Sequence, residues 1–369
     1  MKLKLKMRSK SSKNKTNLVS DPYLKLRCDD SIVRLRKIPD HTFHSLVSDP
    51  PSGILAVGTK TKWDDDKGGR NQWIAWLRDI MTEAHRTLCP GSYGVIWSLP
   101  RTQHWTMTAL EDAGFEIVDV VVHLFGRSLV KGQDASKAID NYLGLPRRVV
   151  GTNKNYRKAN THGSGLVYNA NKNDTESILS VSKAWEGWRS TLKPATESWI
   201  LVRKPLDGNV AENILKYDVG AVKIGKKNVD KIQNNMVLTH HRKCQPNICD
   251  TRCVVYGLAE QNQRAVSYFK TLRPETTSFI MDDKISGKER KSDDNTHPTP
   301  KSLALMKFMV GLVTPKGGKV LDPFMGSGST GVAALQLGCG FYGIEKEEQY
   351  FEIAKRRLEK VLAKTVNKH

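Results

Sequence analysis

The sequence predicts an α/β fold built on a mostly parallel sheet with helices on both faces. From Tyr23 to about Leu206, short apolar strands alternate with amphipathic helices, and the alternation returns after Thr299. Towards the C-terminal end, a strand leads through a glycine-rich turn into a helix, a further strand and an acidic residue. Such alternation requires crossover connections, which cover both faces of a parallel sheet with helices.

Hydrophobic spacing predicts the first elements in order. SLVSDP is a short apolar strand that ends in Asp49. The next helix is predicted to end at Pro90-Gly91, and its apolar residues at helical spacing are Ile74, Leu77, Ile80, Met81, Ala84 and Leu88. SYGVIWSLP is a second strand, RTQHWTMTALEDAG a second helix and FEIVDVVVHLF a long strand or hairpin.

Composition divides the chain into four segments. Residues 1–20 are a basic tail that we expect to be disordered, and residues 21–206 and 297–369 are the two parts of the α/β domain. Residues 207–296 lose the alternation and form an inserted module. Within the first part, residues 150–180 are polar and rich in Gly, Asn and Lys, which predicts a loop or arm.

The charge balance predicts a polyanionic partner. Lys and Arg outnumber Asp and Glu 59 to 38, which gives a formal net charge of +21. This excess favours nucleic acid, although a membrane surface or a ribosome would fit its sign. The sequence contains no apolar run of transmembrane length, and its basic start lacks the apolar centre of a secretion signal. We therefore expect no membrane association.

A glycine-rich turn carries a nucleotide-binding signature. Residues 326–331 spell G-x-G-x-x-G between a strand and a helix, and Glu345 ends the next strand. Glycines let the backbone approach a ligand, and the acid accepts hydrogen bonds from ribose hydroxyls, so the motif fits either NAD or S-adenosylmethionine. The Asp322 carboxylate would repel a pyrophosphate but accept from the ammonium group of a methionine moiety. Few residues remain for a second mononucleotide half, and S-adenosylmethionine is therefore favoured.

Four motifs follow one another in an order that resembles a known enzyme family. They are Cys28-Asp29-Asp30, Ser48-Asp49-Pro50-Pro51, His297-Pro-Thr-Pro-Lys301 and Asp322-Pro-Phe-Met-Gly-Ser-Gly. This order resembles the exocyclic amino DNA methyltransferases of the beta order, the N6-adenine and N4-cytosine enzymes whose catalytic motif precedes the cofactor motif. DPPSGI, GGRNQWIAWL, SLPRTQHWTMTALEDAGFE and HLFG look closer still to the methylases of phages and prophages.

The resemblance implies a fold, a cofactor and a substrate. The fold would be a Rossmann-like S-adenosylmethionine-dependent methyltransferase sheet, with residues 207–296 as the target-recognition module and double-stranded DNA as the partner. The implied cofactor-binding residues are Asp29, Asp322, Phe324, Gly326, Gly328, Glu345, His297, Thr299 and Lys301. A cytoplasmic location in a prokaryotic or phage-infected cell is expected. A cognate restriction nuclease is a further partner that the resemblance allows, and the sequence defines neither the recognition site nor the oligomeric state.

The Asp49-Pro50-Pro51 turn is the predicted catalytic motif. The Asp49 carboxylate and the Pro50 carbonyl would each accept one hydrogen of the target amino group, and the prolines would hold that carbonyl rigid. The target base must leave the duplex to reach this turn. Most relatives have an aromatic residue where this chain has Ser52, so Trp63 and Trp97 are candidates for stacking on the base.

Three alternatives for the activity and its target remain open. Adenine is favoured over N4-cytosine, because Asp at position 49 occurs with both bases in the resembling family whereas Ser there leans to cytosine. A catalytically weak, DNA-binding relative is a second alternative, and Ser52 is the departure that supports it. An RNA or protein methyltransferase is a third, which the large insert and the basic tail disfavour.

A cluster of cysteines and histidines predicts a metal site in the inserted module. It comprises His240, His241, Cys244, Cys249 and Cys253. Three thiols and two imidazoles within so short a segment match the ligands that zinc prefers in tetrahedral structural sites. The gaps between the cysteines are wider than in a C-x2-C knuckle, and reduced thiols without a metal are the alternative.

Overall fold

The computed structural model describes most of the chain. It describes residues 23–53, 64–65, 67–124, 132–152, 173–192, 195–225, 234–241, 244–245, 248–251, 253–272 and 301–366. The predicted basic tail, Trp63, His297, Thr299 and much of the predicted arm lie outside these residues.

Nine strands of the described residues form one sheet, and two more form a separate hairpin. The strands are β1 (Leu24–Cys28), β2 (Phe43–Ser48), β3 (Leu88–Ser98), β4 (Glu116–Leu124), β5 (Arg147–Thr152), β6 (Asn173–Ser177), β7 (Thr196–Arg203), β8 (Met236–Thr239), β9 (Lys270–Leu272), β10 (Lys319–Asp322) and β11 (Gly340–Glu345). The sheet order is β1-β11-β10-β2-β3-β7-β4-β8-β9, with β5 paired to β6 outside it. All neighbouring strands of the sheet are parallel except at β7, which runs antiparallel to both β3 and β4. The predicted α/β fold with a mostly parallel sheet is confirmed.

Helices follow most of the strands. They are α1 (Ser31–Leu35), α2 (Arg70–Thr87), α3 (Gln103–Asp112), α4 (Ala135–Tyr142), α5 (Ser180–Lys183), α6 (Val210–Tyr217), α7 (Val254–Gln261), α8 (Leu303–Val313), α9 (Ser329–Gln336) and α10 (Glu348–Val366), with a 3-10 helix at Ala265–Tyr268. Among the described helices, none combines the length and the apolar character needed to cross a membrane.

The sheet separates two apolar cores, one on each face. Helices α8, α9 and α10 cover one face, where Met309 and Leu358 are fully buried. Helices α1, α2 and α3 cover the other, where Leu77 and Leu110 are fully buried. Because side chains alternate along a strand, β3 contributes to both cores. The chain therefore leaves β2 and β10, which are neighbours, towards opposite faces of the sheet.

The end of α2 differs from the sequence prediction. The helix ends at Thr87, and Pro90-Gly91 lies inside β3 instead of terminating the helix. Here the pairing of β2 with β3 shifts register, and the N–H of Gly91 donates to the carbonyls of Lys204 and Pro205. The proline therefore costs no hydrogen bond of the ladder, because it sits at an irregularity of the strand. For FEIVDVVVHLF, the sequence allowed a long strand or a hairpin, and the structure has the long strand β4 over Glu116–Leu124.

The described part of residues 207–296 continues the main sheet. Strand β8 pairs with β4, and β9 pairs with β8 at the edge. Helix α6 begins at a capping box formed by Asn209 and Glu212, and Asn213 within it donates to the carbonyl of Pro90. This segment is thus fastened to the α/β core by hydrogen bonds as well as by strand pairing. Its limits as a target-recognition module stay a prediction.

A small unit formed by β5, β6, α4 and α5 lies between β4 and β7 in the chain. Its centre is the buried carboxylate of Asp140, which pairs with Arg147 and accepts a 2.9 Å hydrogen bond from Ser177 Oγ. The predicted arm at 150–180 therefore includes a β-hairpin where the structure describes it.

Candidate active site

The carboxyl ends of five adjacent parallel strands bring the predicted site residues to one edge of the sheet. Asp29 follows β1, Glu345 ends β11, Asp322 ends β10, Asp49 follows β2, and Trp97 precedes the last residue of β3. The crevice lies where β10 and β2 send the chain to opposite faces. In open α/β sheets this switch point is where ligands bind.

The glycine turn after β10 is shaped for close approach. Gly326 and Gly328 have positive φ angles of 53° and 80°, which glycine adopts without strain. A Cβ on Gly331 would lie 2.6 Å from the Phe341 ring, so this glycine allows helix α9 to pack tightly on the sheet. The Gly326 N–H donates to Oε2 of Glu345 at 2.8 Å, which ties the turn to the acid at the end of β11.

Asp322 joins the glycine-turn motif directly to the motif that contains Asp49. Its Oδ1 accepts a 2.7 Å hydrogen bond from Ser48 Oγ and a 3.1 Å bond from the Phe324 N–H. Burial raises the pKa of Asp322 to about 7, against the opposing effect of these donors. Sequence reasoning gave Ser48 no role, although it precedes Asp49 and is fully buried.

Asp49 is paired with a lysine from the other motif. Nζ of Lys301 lies 2.5 Å from Asp49 Oδ2 and 4.3 Å from the centre of the Trp97 ring. Burial raises the pKa of Asp49, while the Lys301 charge and hydrogen bond act to lower it. The sequence assigned Lys301 to the cofactor, and the structure places its ammonium group against the predicted catalytic acid and one of the two predicted stacking residues.

Ser52 is held in place by an acid that sequence reasoning missed. Its Oγ donates to both carboxylate oxygens of Asp64, at 3.0 and 2.9 Å, and the Gly53 N–H donates to Asp64 Oδ1 at 3.1 Å. Thr102 Oγ1 donates to the Ser52 carbonyl at 3.2 Å. Burial raises the pKa of Asp64. The available sequence signal was an acidic loop that follows the predicted catalytic turn.

An aromatic row lies beneath the turn. Gly53 has a φ of +68°, and a Cβ there would lie 2.5 Å from Trp73 Nε1. The Trp73 ring is 6.2 Å from that of Trp76, which is 5.6 Å from the ring of Phe324. Phe324, predicted to contact the cofactor, is thus packed against α2.

The loop after β1 is fastened to its neighbours. The Asp29 N–H donates to the Glu345 carbonyl at 3.1 Å, and its Oδ1 accepts from the Asp30 N–H at 2.9 Å. Ser31 Oγ donates to the Pro323 carbonyl at 2.6 Å. Asp29, Glu345 and the loop after β10 therefore form one hydrogen-bonded edge. Burial raises the pKa of Glu345.

The cysteine–histidine cluster lies at the carboxyl end of β8, on the other side of β7. The structure brings together His240, Cys244, Cys249 and Cys253, whose ligand atoms lie within 4.8 Å of one another. His241 is not part of this group, and its Nδ1 lies 3.7 Å from Asp250 Oδ1.

The chain is similar in sequence to known DNA methyltransferases. A family model described as DNA methylase, N6_N4_Mtase, matches residues 43–356. The Type II methyltransferase M.HindIII of Haemophilus influenzae is 25% identical over 363 residues, covering 89% of this chain and 93% of that protein. The Type II methyltransferase M2.DpnII of Streptococcus pneumoniae is 48% identical over 63 residues, covering 17% of this chain and 24% of that protein.

Two solved structures are similar over most of their length. The M1.HpyAVI complex with SAM has a TM-score of 0.46 and 17% identity, covering 90% of this chain and 98% of that chain. The cytosine-N4-specific PvuII DNA methyltransferase has a TM-score of 0.48 and 12% identity, covering 92% of this chain and 89% of that chain.

Proposed function

The chain belongs to the N6_N4_Mtase family of DNA methylases, as the resemblance of its motifs predicted, and we propose that it methylates an exocyclic amino group in double-stranded DNA. The methyl donor in this proposal is S-adenosylmethionine and the favoured target is adenine N6. The observation that carries the proposal is the 2.7 Å hydrogen bond from Ser48 to Asp322. It fixes the Asp49 turn beside the glycine turn, as transfer between two bound molecules requires.

The acidity of the crevice supports a cationic cofactor. Asp49, Asp322 and Glu345 lie at one edge, and burial raises the pKa of each. A bound cation favours the ionised form of carboxyl groups whose pKa burial has raised, so the sulfonium and ammonium groups of S-adenosylmethionine would be attracted here, whereas a pyrophosphate would not. When bound, this cofactor supplies an electrophilic methyl group.

Each cofactor-binding residue in the proposal has a distinct role. Glu345 and Asp29 would accept hydrogen bonds from the ribose and the adenine, and Asp322 would accept from the methionine ammonium. Phe324 would give an apolar wall, which its packing on Trp76 supports. The turn at Gly326 and Gly328 would leave room for the ligand beside the backbone. His297 and Thr299 remain predictions from the sequence.

The Asp49 turn would orient the target nitrogen. The lone pair of an exocyclic amino group is delocalised into the ring, which makes the nitrogen a poor nucleophile. If Asp49 and the Pro50 carbonyl each accept one amino hydrogen, the nitrogen is drawn towards tetrahedral geometry and its lone pair is freed. As the nitrogen gains the methyl group it must release one proton, and the Asp49 carboxylate is the acceptor in reach. Pro51 would stiffen the turn.

The target base would leave the duplex to reach Asp49, at a cost of a few kcal/mol in pairing and stacking. Trp97 lies close to this chemistry, because Lys301 contacts both it and Asp49. Ser52 is engaged by Asp64 and gives the turn a fixed shape without a stacking ring. The net charge of +21 supports DNA as the substrate, since counterion release favours cationic proteins on phosphates.

The preference for adenine rests on Asp49, because Ser in that position leans to cytosine in the resembling family. The alternative of a catalytically weak, DNA-binding relative rests on Ser52 alone. The ordered bonds from Ser52 to Asp64 favour an enzyme, because they rigidify the turn that the chemistry needs.

The test is methyl transfer to DNA from a host that lacks DNA methylation. Tritium from labelled S-adenosylmethionine should enter duplex DNA and not RNA or protein. Single-molecule sequencing of DNA from an expressing host should then show N6-methyladenine at one recognition sequence. N4-methylcytosine would correct the base, and tight DNA binding without any tritium transfer would support the binding-only alternative.

A further inference from the structure

Four side chains beyond the active-site edge have the arrangement of a closed metal site. Nδ1 of His240 lies 3.5 Å from Cys249 Sγ and 3.6 Å from Cys253 Sγ. With Cys244, the four ligand atoms lie within 4.8 Å of one another. We propose that His240, Cys244, Cys249 and Cys253 bind one structural zinc ion.

Two of the distances between ligand atoms match tetrahedral coordination. Zinc bonds of about 2.3 Å to sulfur and about 2.0–2.1 Å to nitrogen, at the tetrahedral angle, place sulfur and nitrogen about 3.5 Å apart. The two separations measured from His240 Nδ1 have this value. One ring nitrogen makes one strong hydrogen bond to a thiol, and a shared metal ion places two sulfurs at this distance from it without dividing that bond.

Backbone donors point at two of the sulfurs. The His241 N–H lies 3.3 Å from Cys253 Sγ, and the Asp250 N–H lies 3.3 Å from Cys244 Sγ. Such bonds orient each sulfur as an acceptor, and contacts of this kind hold the ligands around a metal site in place. The surroundings thus supply the outer contacts that a thiolate–zinc site requires.

The placement of the ligands defines the role of the ion. His240 directly follows β8, and Cys253 is the N-cap residue of α7, so the ion would tie a strand to a helix. The buried residues of the core around this junction are Leu238, Cys253 and Val255. Metal binding would therefore add stability where little apolar area is available. Because the protein fills all four positions, the site suits structure and leaves no place for substrate.

The two neighbouring histidines provide a matched experiment. Full-length protein purified under reducing conditions should contain about one zinc per chain by elemental analysis, as a single four-ligand site demands. His240→Ala should lose tightly bound zinc and His240→Cys should restore it, whereas His241→Ala should keep it. Cys28→Ser, at an exposed cysteine outside the cluster, should also keep it.

The readout is metal content and does not depend on methyl transfer. Cobalt exchanged into the wild type should give thiolate-to-metal charge-transfer bands that Cys249→Ser weakens. The proposal would be overturned if the wild-type protein retained no zinc in competition with a chelator. This result does not depend on whether the variants fold. Iron in place of zinc, or equal loss of zinc in His240→Ala and His241→Ala, would also overturn the assignment.

Discussion

The ammonium of Lys301 lies 2.5 Å from Oδ2 of Asp49 and 4.3 Å from the centre of the Trp97 ring. Without substrate, Lys301 thus donates to the carboxylate that the proposal assigns to the target amino group. The pairing also acts to lower the pKa of this half-buried carboxylate, against the larger effect of burial, which raises it. The incoming base must share or replace this donor. Binding of the target therefore has to rearrange the Lys301–Asp49 pair.

Asp49→Ala should reduce methyl transfer by about 10²–10³-fold, the size expected for losing one preorganised electrostatic contact. Cofactor affinity should change little, because Asp322 and Glu345 remain. Single-turnover tritium transfer and calorimetry measure the two quantities separately. Asp79→Asn is the control, since Asp79 is an exposed acid paired on the surface with Arg78. If Asp49→Ala transferred methyl groups at the wild-type rate, the turn would have no catalytic role and would only end the strand.

Lys301→Met should shift the acidic limb of the pH–rate profile to higher pH. Lys301 acts to lower the pKa of Asp49 against the effect of burial, so its removal raises that pKa. Activity needs the ionised carboxylate and is lost as pH falls through the pKa, which places the loss at higher pH in the variant. Lys301→Arg should keep the wild-type limb. A limb that stays in place in Lys301→Met would show that Lys301 serves the cofactor instead.

The sequence predicted several strands and helices of residues 21–206 and 297–369 and the order of the motifs, because hydrophobic spacing and turn residues are local signals. It predicted no element for residues 207–296, where the structure has β8, β9, α6 and α7. The contacts between motifs are not local. Ser48 and Asp322 are 274 positions apart, and Asp49 and Lys301 are 252 apart, so their pairing depends on which strands become neighbours. The resemblance of the motifs predicted that these segments share one site, but it did not predict which side chains pair with each other.

Two further points depended on three-dimensional structure. The sequence left His240 and His241 equivalent, and the geometry separates them because adjacent residues at the end of β8 point in different directions. Pro90-Gly91 is typical of a helix stop, but it lies inside β3, where the Gly91 N–H donates to the carbonyls of Lys204 and Pro205. For this dipeptide the deciding interaction comes from a distant part of the chain.

Asp322→Asn should stabilise the cofactor-free protein at pH 8 more than at pH 5. Burial raises the pKa of Asp322 from 3.8 to about 7, so between these values the native state binds more protons than the unfolded state. Stability from this group therefore falls as pH rises across that window, and the neutral amide avoids the loss. Thermal unfolding at the two pH values measures the difference, with Asp79→Asn as control. Calorimetry should also show weaker S-adenosylmethionine binding, and equal stabilisation at both pH values would contradict the assigned pKa.

Ser52→Ala and Asp64→Asn should each slow methyl transfer about 10- to 100-fold. Ser52→Ala removes the bonds from the Ser52 hydroxyl to the half-buried Asp64 carboxylate, and Asp64→Asn replaces the charged acceptor by a neutral amide with one acceptor oxygen. Hydrogen bonds to charged groups are worth about 1.5–3 kcal/mol. Both residues act through the shape of the turn, so their effects should not add. The double variant should be no slower than the slower single variant, which a double-mutant cycle tests. The profile against pH should keep its Asp49 limb in Ser52→Ala, whereas the limb should lie at lower pH in the two variants that carry Asp64→Asn, because they lack a negative charge that interacts with Asp49. If the two losses in rate multiplied fully, Ser52 would contact the base directly. Its hydroxyl would then take the place of the aromatic ring that most relatives have at this position.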